Sequence, residues 1–176
     1  MGLALAQRQV KLCYEGTMTF QIAELPAPGG GTLGICPLPG RWGDAVADFA
    51  MIRAWAPDIV VSMTETAEME RFNMADMGAL LARDGVDWAH FPVRDFGVPE
   101  NESIWAELAS ELHKVLDANG RVLVHCLGGL GRSGMVLLRL MVERGEQAEV
   151  ALGQIREVRP GAVETDAQKD WVTNIR

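Results

Sequence analysis

Several short apolar runs along the chain have the length and composition of buried strands. Residues 32–36, 58–63 and 121–124 are short, mainly apolar segments, and 87–91 fits a further strand. Residues 10–25 alternate between apolar and polar positions, which predicts a strand pair ending at Pro26. Glycine, proline and asparagine clusters separate these runs, so each strand is expected to be short.

Between the strands, apolar residues recur every three or four positions, as on the buried face of a helix. The clearest case is a stripe in a helix that ends near Asn119 and Gly120, made up of Ile104, Leu108, Leu112, Val115 and Leu116. Further helices are predicted at 45–55, 66–71, 74–84, 134–144, 148–158 and 166–175. Strands that alternate with helices pair in parallel. The pattern predicts an α/β fold with a central, mostly parallel sheet flanked by helices.

Length and composition favour one domain over residues 1–176. The 176 residues are 48% apolar and 23% charged, which is typical of a globular protein with a substantial core. We find no basic segment followed by an apolar leader and no uncharged apolar stretch of about 18 residues. We therefore expect a cytoplasmic protein that does not span a membrane.

The segment HCLGGLGRSG, from His125 to Gly134, lies between the predicted strand at 121–124 and the helix at 134–144. Backbone N–H groups at a helix N-terminus point at an anion, and the helix dipole adds about half a positive charge. The glycines allow several N–H groups to converge without Cβ clashes. We predict a phosphate-binding loop that consists of Leu127, Gly128, Gly129, Leu130, Gly131 and Arg132.

Cys126 is the candidate nucleophile of this loop. A helix N-terminus and a nearby cation favour the thiolate, and Arg132 can bind two phosphate oxygens with its planar guanidinium. Ser133 can donate its hydroxyl proton to the sulfur, and His125 can hold the loop through its ring nitrogens. We expect the other two cysteines, Cys13 and Cys36, to act as small, buried apolar side chains.

The stretch from His125 to Ser133 resembles the signature loop of the cysteine-dependent tyrosine and dual-specificity protein phosphatases. Three further stretches are similar to the kinase-associated phosphatase group, which is related to the cyclin-dependent kinase inhibitor phosphatase. They are LGICPLPG at 33–40, PVRDFGVP at 92–99, and GAVET at 161–165 followed by Gln168. The resemblance implies the phosphatase fold and hydrolysis of phosphomonoesters through a cysteinyl-phosphate.

This chemistry requires a general acid on a separate loop. Asp95 lies 31 residues before Cys126, in a proline- and glycine-containing segment after the strand at 87–91, and it matches the family pattern. We expect Asp95 to protonate the leaving oxygen and then to accept a proton from the attacking water. Gln168 is the candidate for orienting that water, although a helix-surface glutamine is an equally simple interpretation.

Other known functions of glycine-rich loops fit this sequence less well. The letters GLGRSG satisfy a dinucleotide fingerprint, but the chain after residue 134 is predicted to be helical and supplies no further strand. An ATPase-type loop requires Lys where Arg132 stands, and a sulfurtransferase loop predicts neither the Arg132–Ser133 pair nor Asp95. A phosphate-recognition module that binds phosphoproteins without efficient turnover remains the alternative to an active enzyme.

The charge of the chain restricts the classes of partner that it can bind. The formal net charge of −8 disfavours nucleic acid and anionic membranes as partners. Because the loop offers no side-chain cation besides Arg132, a single phosphate ester fits better than a highly phosphorylated lipid. We predict a phosphoprotein or phosphopeptide substrate, with Tyr and Ser/Thr both open, and neither cofactor nor metal. Arg156 and Arg159 either border the site or lie on the solvated surface.

Overall fold

The computed structural model describes residues 19–173, and within this range five strands form one sheet. The strands are β1 (Ala23–Pro26), β2 (Thr32–Pro37), β3 (Ile59–Ser62), β4 (Asp87–His90) and β5 (Arg121–Cys126). Their order across the sheet is β1-β2-β5-β3-β4. Only β1 runs antiparallel to its neighbour, so the expected mostly parallel α/β sheet is confirmed.

Helices connect and cover these strands. They are α1 (Ala45–Trp55), α2 (Thr66–Arg71), α3 (Met77–Arg83), α4 (Glu102–Asp117), α5 (Gly131–Glu143), α6 (Ala148–Val158) and α7 (Asp166–Thr173). The Asp44 side chain accepts a hydrogen bond from the Val46 N–H and so begins α1. Asn101 caps α4 in the same manner. Most helix positions predicted from the periodicity are confirmed.

Two apolar clusters lie on opposite faces of the sheet. The larger packs α4, α5 and α6 against one face, and the smaller packs α1 and α3 against the other. The β5 strand crosses the middle of the sheet, and α5 is buried along almost its whole length. The loop between β5 and α5 is therefore anchored at both ends by the most buried elements of the protein.

The structure differs from the predicted elements in four places. The helix predicted at 74–84 is shorter and spans Met77–Arg83. In the segment 10–25 only the part from Ala23 onward is strand and pairs with β2, while residues 10–18 lie outside the described residues. The α5 helix begins at Gly131 rather than at residue 134, because its first turn is built from the loop itself. Ile104 is 52% exposed, and Trp105 occupies the buried face of α4 instead.

Candidate active site

The candidate site lies where the four parallel strands end. The loop after β5 contains Cys126, the loop after β4 contains Asp95, and α2 follows β3. Ligand sites in open α/β sheets form at this carboxyl edge of the strands. The topology thus brings together residues that are far apart in the sequence.

The carbonyl groups of the phosphate-binding loop are hydrogen-bonded by surrounding groups. The guanidinium of Arg159 donates to the Gly129 carbonyl over 2.8 Å and to the Gly128 carbonyl over 3.0 Å. The Leu127 carbonyl accepts from the Leu38 N–H, and the Leu130 carbonyl accepts from the helical Gly134 N–H. In a planar trans peptide the N–H points opposite to the C=O. The four carbonyls belong to residues 127–130, and each is followed by the N–H group of the next residue, 128–131. Each of these N–H groups therefore points away from the donor that is hydrogen-bonded to the preceding carbonyl.

Gly129 gives the loop its shape. Its φ of 66° lies in the left-handed region, and a Cβ at this position would lie 2.4 Å from the carbonyl carbon of Cys36. The contact is with backbone, so a side chain could not be accommodated by a rotamer change. Glycine is required here for the loop to pack against the end of β2.

Cys126 is buried at the end of β5, and its Sγ lies 3.2 Å from the Ser133 Oγ. Ser133 is in the first turn of α5, so the predicted pairing of thiol and hydroxyl is present in the structure. Cys36 pairs with His125 in the β2–β5 register, and Pro37 pairs with Cys126. Because side chains alternate along a strand, Cys36 packs in the core cluster on the other face of the sheet from Cys126. Burial raises the pKa of the Cys36 thiol, as expected for an apolar structural cysteine.

His125 is fully buried, and its surroundings favour the neutral ring. Its Nε2 lies 2.6 Å from the Ser62 Oγ, which also accepts a hydrogen bond from the Trp88 indole over 2.8 Å. The Ser62 hydroxyl has one proton and two lone pairs, and its oxygen also lies 3.9 Å from the Met77 Sδ. Nδ1 faces the Cys126 carbonyl at 3.5 Å. Burial lowers the pKa of His125 to about 4.

Arg132 is 1% exposed and is held chiefly by Glu68, a residue that the sequence analysis missed. Its Nη1 and Nη2 donate to the two Glu68 carboxylate oxygens over 2.7 and 2.9 Å, and Nη1 also donates to the Val93 carbonyl. Burial is the largest single effect and raises the pKa of Glu68, but the hydrogen bonds from Arg132 and from the Glu65 N–H, together with the charge of Arg132, outweigh it and the pKa is lowered. Nε of Arg132 is buried and has no hydrogen-bond partner among the described residues. This N–H is available to an oxyanion bound in the loop.

Asp95, on the loop after β4, also contacts Arg132. Its Oδ1 lies 3.0 Å from Nη2 of Arg132 and accepts from the Phe96 N–H over 3.1 Å. The Asp95 side chain is 48% exposed, so it can meet both the arginine and solvent. This position is the one expected of an acid on a separate loop.

Gln168 is fully buried, which excludes the interpretation as a helix-surface glutamine. Its Oε1 accepts from the Glu164 N–H over 2.9 Å, and its Nε2 donates to the Gly97 carbonyl over 3.3 Å. Its amide also lies next to Gly131, where a Cβ would be 3.0 Å from both polar atoms. Gln168 therefore connects the acid loop, the turn before α7 and the phosphate-binding loop.

Two functional neighbours, Glu68 and Ser62, carry no recognisable signal in the sequence. Glu68 is one of several glutamates near a short helix, and Ser62 ends an apolar strand. Arg159 was left open as a site or surface residue, and the structure assigns it to the loop. Arg156 donates to the carbonyls of Ala162 and Val163 and so supports the turn before α7.

Within residues 19–173 no helix is both long and apolar enough to cross a membrane. The same part of the chain contains no group of three or more His, Cys, Asp or Glu side chains arranged to hold a metal ion.

Comparison with known proteins identifies the family. The model of the dual specificity phosphatase catalytic domain matches residues 58–176. Cyclin-dependent kinase inhibitor 3 of Mus musculus is 29% identical over 151 residues, which cover 82% of this chain and 71% of that protein. Protein tyrosine phosphatase type IVA 3 of Homo sapiens is 32% identical over 84 residues, covering 47% of this chain and 49% of that protein.

Solved structures show the same fold. Kinase associated phosphatase, with its catalytic site cysteine replaced by serine, superposes with a TM-score of 0.79 at 23% identity, covering 89% of this chain and 94% of that one. Tk-PTP in its active form gives a TM-score of 0.63 at 30% identity, covering 81% of this chain and 92% of that one. The resemblance inferred from the signature loop is thereby confirmed. The chain belongs to the dual specificity phosphatase family and is a cysteine-dependent protein phosphatase similar to cyclin-dependent kinase inhibitor 3.

Proposed function

We propose that this protein hydrolyses phosphomonoesters on phosphoproteins, at Tyr or at Ser/Thr, through a cysteinyl-phosphate intermediate. The observation that carries the proposal is the combination of a buried thiol with the Arg132 Nε that lacks a partner among the described residues. A thiol at the base of a ring of N–H groups can attack phosphorus, and the ring and the guanidinium can stabilise the charge of the transferred group.

In the first step the Cys126 thiolate attacks phosphorus, and the P–O bond to the leaving group breaks. The electron pair goes to the leaving oxygen, which takes a proton from Asp95. Arg132 is kept in place by Glu68 while it binds the transferred phosphoryl group. Glu68 thus acts as a positioning residue rather than as a contact of the substrate.

In the second step water attacks the cysteinyl-phosphate, and the P–S bond breaks to return the thiolate. Asp95 accepts the proton of the water, and the Ser133 hydroxyl, 3.2 Å from Sγ, donates to the departing sulfur. Gln168 orients the water. Its position beside both Gly97 of the acid loop and Gly131 of the phosphate-binding loop supports this assignment.

The loop favours a substrate with one phosphate group. Between Cys126 and Arg132 the side chains are leucine and glycine, so no further cation is available there for a second phosphate. The net charge of −8 also disfavours polyanionic partners. A phosphoprotein side chain, which carries a single ester, fits these conditions.

The first test is hydrolysis of para-nitrophenyl phosphate by reduced protein without added metal, comparing the wild type with Cys126→Ser. We expect vanadate-sensitive turnover that is lost in Cys126→Ser, while that variant still binds phosphate through the loop. Cys36→Ser is the matched control, because Cys36 packs in the other core cluster, and it should retain turnover. Folded wild-type protein that binds phosphopeptides without hydrolysing them would instead support a recognition module.

A further inference from the structure

A second carboxyl group, that of Glu164, lies against the phosphate-binding loop. A Cβ placed on Gly131 would be 2.4 Å from the Glu164 Oε2, so this carboxyl lies directly against the backbone of Gly131. Gly131 supplies one of the N–H groups assigned to phosphate binding, and this N–H interacts favourably with the carboxylate. Glu164 therefore lies at the rim of the anion site.

The backbone that presents Glu164 is strained and held from several sides. Val163 has a φ of 62°, which is a genuine outlier for a buried β-branched residue. Arg156 donates to the carbonyls of Ala162 and Val163, and the Gln168 side chain accepts from the Glu164 N–H. Strain that the surroundings maintain in this way is concentrated at functional sites. A surface glutamate would need none of these contacts.

The charged groups that face Glu164 are Asp95 from the acid loop and Arg132 from the start of α5. Burial and the negative charge of Asp95 raise the pKa of Glu164, against the opposing effects of the Gly131 N–H and the Arg132 guanidinium. Asp95, in contrast, forms an ion pair with Arg132 at 3.0 Å. Burial favours the protonated form of a carboxyl group, so Glu164 is suited to hold a proton next to the loop.

We infer that Glu164 is a second proton donor of the site and shares with Asp95 the protonation of the leaving-group oxygen. The inference rests on the proposed function. As the P–O bond breaks, the Glu164 carboxyl proton passes to the leaving oxygen, and the resulting carboxylate is stabilised by the Gly131 N–H and Arg132. When water attacks the cysteinyl-phosphate, the carboxylate takes up a proton from the water, and the thiolate leaves.

The test compares Glu164→Gln, Asp95→Asn and the double variant on two substrates. Phenyl phosphate has a poor leaving group that needs protonation, whereas para-nitrophenyl phosphate needs little. On phenyl phosphate each single variant should lose about tenfold in kcat, because the other carboxyl still donates, and the double variant should lose about 10²- to 10⁴-fold. On para-nitrophenyl phosphate all three should remain within about tenfold of the wild type.

The pH dependence gives a second readout. Activity that needs a protonated carboxyl falls as pH rises through the range where that group ionises. With phenyl phosphate, Glu164→Gln should shift this fall to lower pH, because the variant lacks the carboxyl group whose pKa is raised by burial. Glu157→Gln, an exposed glutamate on α6, is the matched control and should leave the profile unchanged.

The outcomes separate the two proposals. A double variant no slower than Asp95→Asn on phenyl phosphate, or a Glu164→Gln profile that matches the wild type, would overturn the role of Glu164 while leaving the phosphatase mechanism intact. Loss of para-nitrophenyl phosphate turnover in Glu164→Gln with unchanged thermal unfolding would also overturn it, because proton donation cannot explain that loss. A wild-type chain without turnover overturns both.

Discussion

The Glu68–Arg132 pair gives the most direct test of how the site is preorganised. Replacing Glu68 with Gln retains one oxygen acceptor but places an NH₂ donor against a guanidinium that has only donors. Arg132 is 1% exposed and Glu68 17% exposed, so solvent cannot take over the lost contact. We expect the variant to fold less stably and to bind phosphate less tightly.

The magnitude follows from the geometry. Removing one partner of a buried ion pair costs about 3–5 kcal/mol, because the other charge is left uncompensated. Here Asp95 and the Val93 carbonyl still contact the arginine, which lowers the expected cost to about 2–3 kcal/mol. For a chain of this size that loss lowers Tm by about 4–12 °C.

Thermal unfolding followed by circular dichroism, with and without vanadate, measures the effect. Vanadate is expected to bind in the loop beside Arg132, and it should raise the Tm of Glu68→Gln by less than it raises that of the wild type at the same vanadate concentration, because the variant binds the oxyanion less tightly. Glu70→Gln changes an exposed glutamate on the same short helix and controls for the helix itself. Equal Tm values for the two variants would refute the assignment of Glu68 to the site.

Two further predictions concern the residues around the loop. Arg159→Met should lower kcat/KM for para-nitrophenyl phosphate by about 10- to 100-fold, because two charge-assisted hydrogen bonds to the Gly128 and Gly129 carbonyls are lost; the exposed Arg83→Met should not. Since the folded pKa of His125 lies near 4, below its ordinary 6.5, the stabilising effect of its neutral ring is complete above pH 6.5 and is lost as pH falls toward 4. The free energy of unfolding measured with urea should therefore fall by about 2 kcal/mol between pH 7 and pH 5 because of His125. If His125→Asn, which has no ring to protonate, shows the same fall, the buried neutral ring of His125 is not its cause.

The fold was largely predictable because its elements have strong local signals. The buried runs of β3 and β5 and the periodic α4 and α6 were expected within a few residues of their observed bounds. The start of α5 was misplaced because three glycines obscure where a loop becomes a helix. Ile104 was placed in the core because periodicity alone did not distinguish it from Trp105, which fills more of the space beneath α4.

The site was predictable only where its residues are adjacent in sequence or match a family pattern. His125, Cys126 and Arg132 fall within one loop, and their signature is specific. Glu68 and Glu164 reach the site through the packing of α2 and of the turn before α7. Glu68 has the sequence context of an ordinary surface glutamate, and Glu164 lies in the GAVET stretch, whose family resemblance gave this glutamate no role of its own. Only the folded contacts separate them from the other acidic residues of the chain.

The Gln168 amide has a consequence for the integrity of the protein under proteolysis. It connects Gly97, Glu164 and Thr165, while the Val163 N–H donates to the Leu130 carbonyl. The segment after α6 therefore forms part of the wall of the site rather than an appendage to it. A single cleavage in the turn at 159–165 would leave every residue of the signature loop in place. It would nevertheless remove the Gln168 connection between the acid loop and the phosphate-binding loop and leave only the contacts of Arg132 with Asp95 and Val93 between them, so the catalytic activity should fall.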